Sequence, residues 1–335
     1  MKLKYTFVLI MSSLLLRFSG SAQVFPNLGS QRIGISALTF LKNDLSPRSI
    51  AMGGASISLA GDPYAMHVNP AGGADNLQPL AAASTRTLPA AIFQTFAGIL
   101  IPTDNKAAWM LSMNYMGSGS QKRRTEFQPF GDGTFFVSDA FKLGFGYSKA
   151  LSKMFSFGLN AHYIREQLAQ YASNAIAVDM GFMYKTDWKH LNFAVGLQHF
   201  GANSTLSGSE LPVMYNRSAG TGKESYGAPT LFSMGASMVP WSAGKHEILV
   251  SAQLNHPNDN AENIRLGAEY TLDSMFFLRV GLRVNVPGEH ISGGVGFKRI
   301  LGRVPLSVEY AVLPNDYLGW MHTIGLSIGL KNKQL

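Results

Sequence analysis

The pentapeptide Gly325-Leu326-Ser327-Ile328-Gly329 has the G-x-S-x-G spacing that exposes a serine nucleophile at a sharp strand-to-helix turn. Here it sits inside a segment of strict two-residue alternation, with Ser327 on the small-residue face, so a structural serine is expected. The eight histidines (His67, His162, His190, His199, His246, His256, His290, His322) are scattered, and none pairs with another at metal-ligand spacing. Gly117-Ser118-Gly119-Ser120 precedes Lys122-Arg123-Arg124 but lacks the spacing and the following helix of a phosphate loop. No enzymatic activity, metal or cofactor is expected. Two sets of charges remain. Lys122, Arg123 and Arg124 form a basic run that suits contact with anionic groups. Lys142, Arg265, Glu269, Arg279, Arg283, Lys298 and Glu309 each stand out of phase with apolar neighbours. Such charges suit either a braced ionic network or a polar permeation path.

The elements that carry these charges are alternating segments. Phe276, Leu278, Val280, Leu282 and Val284 form one face; Arg279, Gly281, Arg283 and Asn285 form the other. Successive strand side chains point to opposite faces, so each segment has one apolar face and one small or polar face. About 14 such segments follow residue 80, near 80–86, 91–101, 107–117, 136–149, 155–170, 173–187, 191–200, 229–239, 245–256, 263–273, 276–286, 290–301, 304–313 and 319–331. Many run to about 10–15 residues, well beyond the strand length usual in globular proteins. Charged residues make up only 14% of the chain, against 35 glycines and 37 aromatics, and no long apolar run occurs. Low charge spread over alternate positions is the signature of an all-β, transmembrane antiparallel barrel. The longest connections, at about 118–135 and 202–228, follow the third and seventh segments, and tight turns follow the fourth, sixth, tenth and twelfth. That asymmetry places both long loops on the extracellular side. Glycine-rich breaks such as Gly293-Gly294 are candidates for a kink that opens the wall.

The N-terminus reads as a secretory leader over 1–22: Lys2 and Lys4, an apolar stretch from Phe7 to Leu16, then Gly20-Ser21-Ala22 as small residues before cleavage. The formal charge of +8 falls to +5 once Lys2, Lys4 and Arg17 are removed. Mild basicity without a zinc-knuckle or RNA motif excludes no anionic partner but gives no support to nucleic acid. The chain has no cysteine, which a large closed sheet does not need. Residues 23–79 fit the strand pattern poorly; Gly, Ser, Ala and Pro dominate, with a short helix near Arg48 to Ala55. Residues 80–335 supply the barrel.

Within that first stretch lies SPRSIAMGGASISLAGDPYAMHVNPAG, Ser46 to Gly72. Arg48, Met52-Gly53-Gly54-Ala55, Asp62 and Asn69-Pro70-Ala71 give it a pattern that resembles the N-terminal signature of FadL-like outer-membrane barrels. The likeness is greatest to their PorV/PorQ branch, associated with type IX secretion. The resemblance implies 14 strands and an N-terminal hatch folded into the lumen. Its site residues are then Arg48, Gly53, Gly54, Asp62, Asn69 and Pro70, the motif serving either as a plug-fixing turn or directly in ligand binding or gating. It further implies a non-enzymatic role in protein secretion or surface attachment. The partners are then cargo signal domains or secretion-system proteins, bound at the loops and rim. Outer-membrane lipid and lipopolysaccharide are the expected surroundings, the latter within reach of Lys122, Arg123 and Arg124. The alternative is passive transport of hydrophobic small molecules such as long-chain fatty acids.

Overall fold

The structure is a computed structural model that describes residues 34–330 apart from 77, 104–105, 208–224 and 303. The predicted leader over 1–22 lies outside the described residues. From Leu80 onward the chain winds 14 antiparallel strands into a closed barrel. They are β1 (Leu80–Thr87), β2 (Phe93–Thr103), β3 (Ala107–Lys122), β4 (Phe135–Ala150), β5 (Phe155–Leu168), β6 (Tyr171–Lys185) and β7 (Asn192–Gly201). The second half comprises β8 (Leu231–Ala243), β9 (His246–Pro257), β10 (Asn263–Leu272), β11 (Phe276–Val284), β12 (Ile291–Leu301), β13 (Val304–Asn315) and β14 (Gly319–Gly329). Each strand pairs with its chain neighbour, and the ring closes where Leu80 of β1 faces Gly329 of β14. Closure leaves no sheet edge, which a hydrocarbon solvent demands because it offers no hydrogen bond to a free backbone group.

Alternation sorts the wall by polarity. In β3, Trp109, Leu111 and Met113 point outward and are exposed, while Ala108, Met110, Ser112 and Asn114 are buried inside. The same holds around the ring, so large apolar side chains form an external band (Ile99, Leu143, Ile176, Val280, Ile324 among them). A water-soluble protein does not expose a continuous patch of this size; a transmembrane barrel must. No helix of the described residues is long and apolar enough to cross a membrane. Aromatics flank the band at both ends, Trp109 packing on Tyr147 with ring centroids 4.7 Å apart near the tight turns and Phe93 lying 6.0 Å from Tyr115 at the other end, as interfacial girdles do.

The connections divide as the alternation predicts. Those after even-numbered strands are tight, and the two longest share the opposite end. The β3–β4 hairpin is shorter at its tip than the expected 118–135, because pairing continues to Lys122 across a bulge between Gly117 and Ser120. In the other long connection, Ser204–Thr205 and Ser225–Tyr226 form a small ribbon, and 208–224 lie outside the described residues. The expectation of a wall break at Gly293-Gly294 is corrected. Both glycines are paired on both sides, with Val280 and Arg279 of β11 and with Val312 and Ala311 of β13. The missing side chain of Gly294 makes room for Ala51 of the interior segment instead.

That segment is the hatch. It contains a 3₁₀ turn at Thr39–Lys42, helix α1 (Pro47–Ala51), helix α2 (Ala65–Val68) and a second 3₁₀ turn at Pro70–Asp75. Short elements form here because local caps replace long-range pairing. Ser46 Oγ accepts from the Ser49 N–H at 3.2 Å, and Pro47 takes the first helical position. Asn69 Oδ1 likewise accepts from the Ala71 N–H at 3.0 Å, ahead of Pro70. Three apolar clusters seat the hatch on the inner wall: Leu45, Tyr64 and Met66 against Phe96, Leu100 and Met110; Leu38, Phe40 and Leu41 against Ile164 and Ala175; Ile50 and Ala51 against Leu313 and Met321.

Candidate functional site

The hatch residues come to the wall where glycines leave space. A Cβ at Gly281 would fall on the Gly53 backbone, one at Gly158 on the Pro70 carbonyl, and one at Gly181 on the Asn69 amide. Gly53 and Gly54 have φ of +70° and +87°, a left-handed turn that strains any side chain. Asn69 donates from Nδ2 to the Ile57 carbonyl at 2.8 Å, tying the two ends of the hatch motif together.

Beneath α1 lies a buried ionic network. Arg48 grips Glu269 of β10 with both forks, Nε to Oε2 at 2.9 Å and Nη2 to Oε1 at 2.7 Å. Arg279 of β11 donates from Nε to the same carboxylate at 2.5 Å and from Nη2 to Glu309 of β13 at 3.0 Å. Removal from water costs each ion heavily, and only this multidentate geometry offsets it. Desolvation pulls the Arg48 guanidinium down, but Glu269, Asp62 and Glu309 together outweigh it and hold Arg48 above its ordinary value. Asp62 caps the Tyr64 N–H at 2.7 Å while its other oxygen is buried without a partner. Burial pushes this carboxyl up to about 6, against the opposing pull of Arg48.

The remaining inward charges do not join this network as expected. Arg283 pairs with Glu289 in the β11–β12 connection. Arg265 makes no ion pair among the described residues; its Nε donates to Asn263 Oδ1 at 3.0 Å. Lys298 is exposed at the turn-side mouth, also without an ion pair among the described residues. Lys142 is buried beside His199, Nζ to Nε2 at 3.5 Å. Around it stands a cluster that sequence spacing did not reveal: Asp179 takes a 2.6 Å bond from His162 Nε2 and a 2.7 Å bond from the His199 N–H. Asp179 carried the same out-of-phase signal as the other charges, flanked by Ala177 and Gly181. His199 carried none, because a bulge between Val178 and Met180 shifts its register. No group of three or more metal-ligating side chains forms among the described residues. Ser327 bonds to Ser307 at 2.8 Å across the strand pair, with no elbow. Lys122, Arg123 and Arg124 are exposed at the tip of the β3–β4 hairpin, where Arg123 meets Asp132 at 3.8 Å.

Two cavities flank α1. One, of about 180 Å³, opens on the long-loop side and is lined by Ser49, Gly54, His67, Gln198, Asp259, Arg265 and others. The second, of about 500 Å³, opens on the side of the tight turns, lined by Arg48, Arg279, Lys298 and Glu309. They share no lining residue. Adjacent residues of one short helix, Arg48 and Ser49, face opposite cavities, so α1 is the partition.

No family model matches the chain, and no curated protein matches its sequence. Solved structures do match its shape. A FadL homologue from Pseudomonas aeruginosa superposes with a TM-score of 0.53 at 10% identity, covering 85% of this chain and 97% of that one. The Pseudomonas putida toluene transporter TodX gives 0.53 at 11% identity, covering 89% and 98%. The CymD monoaromatic hydrocarbon channel gives 0.53 at 11%, covering 85% and 96%. At these identities the likeness establishes the fold: a FadL-like, 14-stranded antiparallel barrel with an N-terminal hatch.

Proposed function

We propose that the protein is an outer-membrane barrel, exported by a leader over 1–22 and mature from Gln23, that passes small molecules passively when its hatch moves. The observation that carries this reading is the pair of cavities set back to back across α1. Displacement of α1 from its seat is the movement that would open a path between them, and no disulfide ties α1 to the wall. The fold it shares with a toluene transporter and a monoaromatic hydrocarbon channel supports the same reading. Long-chain fatty acids are among the solutes that the resemblance implies. The test is solute entry into vesicles carrying the purified barrel. Arg48→Ala should raise the rate severalfold without loss of folded barrel, because it removes the grip on Glu269. Equal rates in wild type, variant and empty vesicles would end this reading.

A second reading, secretion or surface attachment of the PorV/PorQ kind, is favoured by the β3–β4 hairpin. Phe127 and Phe130 at its tip are 93% and 91% exposed beside Lys122, Arg123 and Arg124. Exposed aromatics next to a basic run suit capture of a protein partner at the rim. Cargo wider than the bore must engage there, since the hatch fills the lumen. Removal of 123–134 should abolish surface display of cargo and leave small-molecule entry unchanged; display at normal levels would exclude a role for the hairpin.

A further inference from the structure

We propose that the loop-side cavity is a binding site for a small hydroxylated carboxylate, with Arg265 as its anion partner. Arg265 projects from β10 into the cavity, where the hatch has a glycine to receive it: a Cβ on Gly54 would collide with the guanidinium. Its Nε is taken by Asn263, and no carboxylate lies within ion-pair distance among the described residues. The terminal fork therefore faces open space, in the geometry that grips a carboxylate with two parallel bonds. Arg86 deepens the imbalance. It is buried, donates to the Asp44 carbonyl at 3.2 Å, and has no carboxylate partner among the described residues.

No acid of the lining touches Arg265; Asp44 and Glu289 act on it only through space. Asp44 is held by the Ser46 N–H, by Ser49 and by His67. Asp259 is held by Ser36 and Lys42. The rest of the lining mixes apolar groups such as Leu41, Ile57, Val68 and Leu231 with polar side chains, and the polar ones face the body of the ligand. Asn43 and Asn285 each donate one amide N–H to a protein acceptor, Gln94 and the Glu262 carbonyl, and Gln198 donates to the His67 and Val68 carbonyls. Their amide oxygens have no donor among the described residues. A cation set among free acceptors matches a molecule with one carboxylate and several hydroxyl donors. The volume of about 180 Å³ equals roughly six waters, the bulk of a six-carbon sugar acid.

The assignment of this ligand as a transported solute rests on the passive-uptake reading; the binding site does not. Calorimetry on the full barrel in non-ionic detergent tests the site with glucuronate, glucose and laurate as probes. Glucuronate should bind saturably. Arg265→Gln should weaken it by about 10- to 100-fold, as loss of charge-assisted bonds does. Arg265→Lys should recover part of the loss. Added salt should weaken glucuronate binding in the wild type, a readout that needs no variant. Glucose should bind at least tenfold more weakly than glucuronate. No glucuronate binding, equal binding of glucose, binding unmoved in Arg265→Gln, or tighter binding of laurate would each overturn the proposal. Vesicle entry separates the two claims. Binding without entry defeats uptake and leaves the site; entry without Arg265-dependent binding does the reverse.

Discussion

At the scale of the residue, the hatch is governed by a few ions removed from water. Arg48, Glu269, Arg279 and Glu309 share every strong bond they make with one another. Removing one partner from such a set costs about 3–5 kcal/mol, because the others stay buried and unpaired. Asp62 is the exception within the hatch. Its carboxyl is raised to about 6 by burial from a usual 3.8, so the packed hatch binds its proton more tightly than the free segment does. As pH falls from 7 through about 6 toward 4, this group therefore makes the packed hatch more stable. Asp44 acts in the opposite sense at lower pH. Burial raises its carboxyl, but His67 and the bonds from Ser49 and Ser46 outweigh that and bring it down to about 2, so its stabilisation fades only as pH falls from about 4 toward 2. Asp62→Asn should flatten the rise between pH 7 and 4 by about 1–3 kcal/mol. Hydrogen exchange of the 44–58 amides across that range measures it; an unchanged slope in the variant would assign the pH response elsewhere.

At the scale of the element, glycine does in the wall what side chains do in an ordinary core. Gly158, Gly181 and Gly281 face inward from β5, β6 and β11; Gly158 and Gly281 lie against hatch backbone, and Gly181 against the Asn69 side chain. A side chain cannot be accommodated by rotamer change when its obstacle is backbone. Gly281→Val should therefore unseat α1 while leaving the β10–β11 pairing intact. The expected result is a barrel that still folds and shows heat-modifiable mobility, with protease cleavage in 46–58 at least tenfold faster than in the wild type. Cleavage at the wild-type rate would mean that α1 adapts to the added bulk. The same substitution at Gly293 of β12, where an added Cβ meets only the Arg279 carbonyl at 3.6 Å, serves as the control for folding.

At the scale of the whole molecule, the polarity of the barrel is inverted relative to a soluble protein. Leu111 is 59% exposed on the outer face of β3, while Ser112, the next residue, is buried inside. If hydrocarbon is the outer solvent, Leu111→Arg should cost about 2–4 kcal/mol in refolding into lipid vesicles. A soluble sandwich would tolerate the same change at an exposed position with little loss. A refolding free energy unchanged by Leu111→Arg would contradict a membrane setting. Fractionation of cells to locate the mature chain checks the same property.

Much of the architecture was legible because it is local. Alternation is a property of consecutive residues, and with the tight turns it placed every strand of the ring to within a few residues. Loss of polarity contrast near strand ends accounts for the misplaced tip of the β3–β4 hairpin, where Ser118 to Lys122 still pair despite being polar. Arg48, Gly53, Gly54, Asp62, Asn69 and Pro70 were marked by the resemblance to FadL-like barrels, and the caps at Ser46 and Asn69 follow from rules that span a few residues. What each charge meets was not legible. Arg48 and Glu269 are 221 residues apart in the chain, and nothing short-range specifies their meeting. Arg265 and Arg279 follow the same alternation, in neighbouring strands. Yet Arg279 is locked between two carboxylates and Arg265 is left facing a cavity. Register between strands and the seating of the hatch decide that difference, because ionic partners are chosen by position in space once water is excluded.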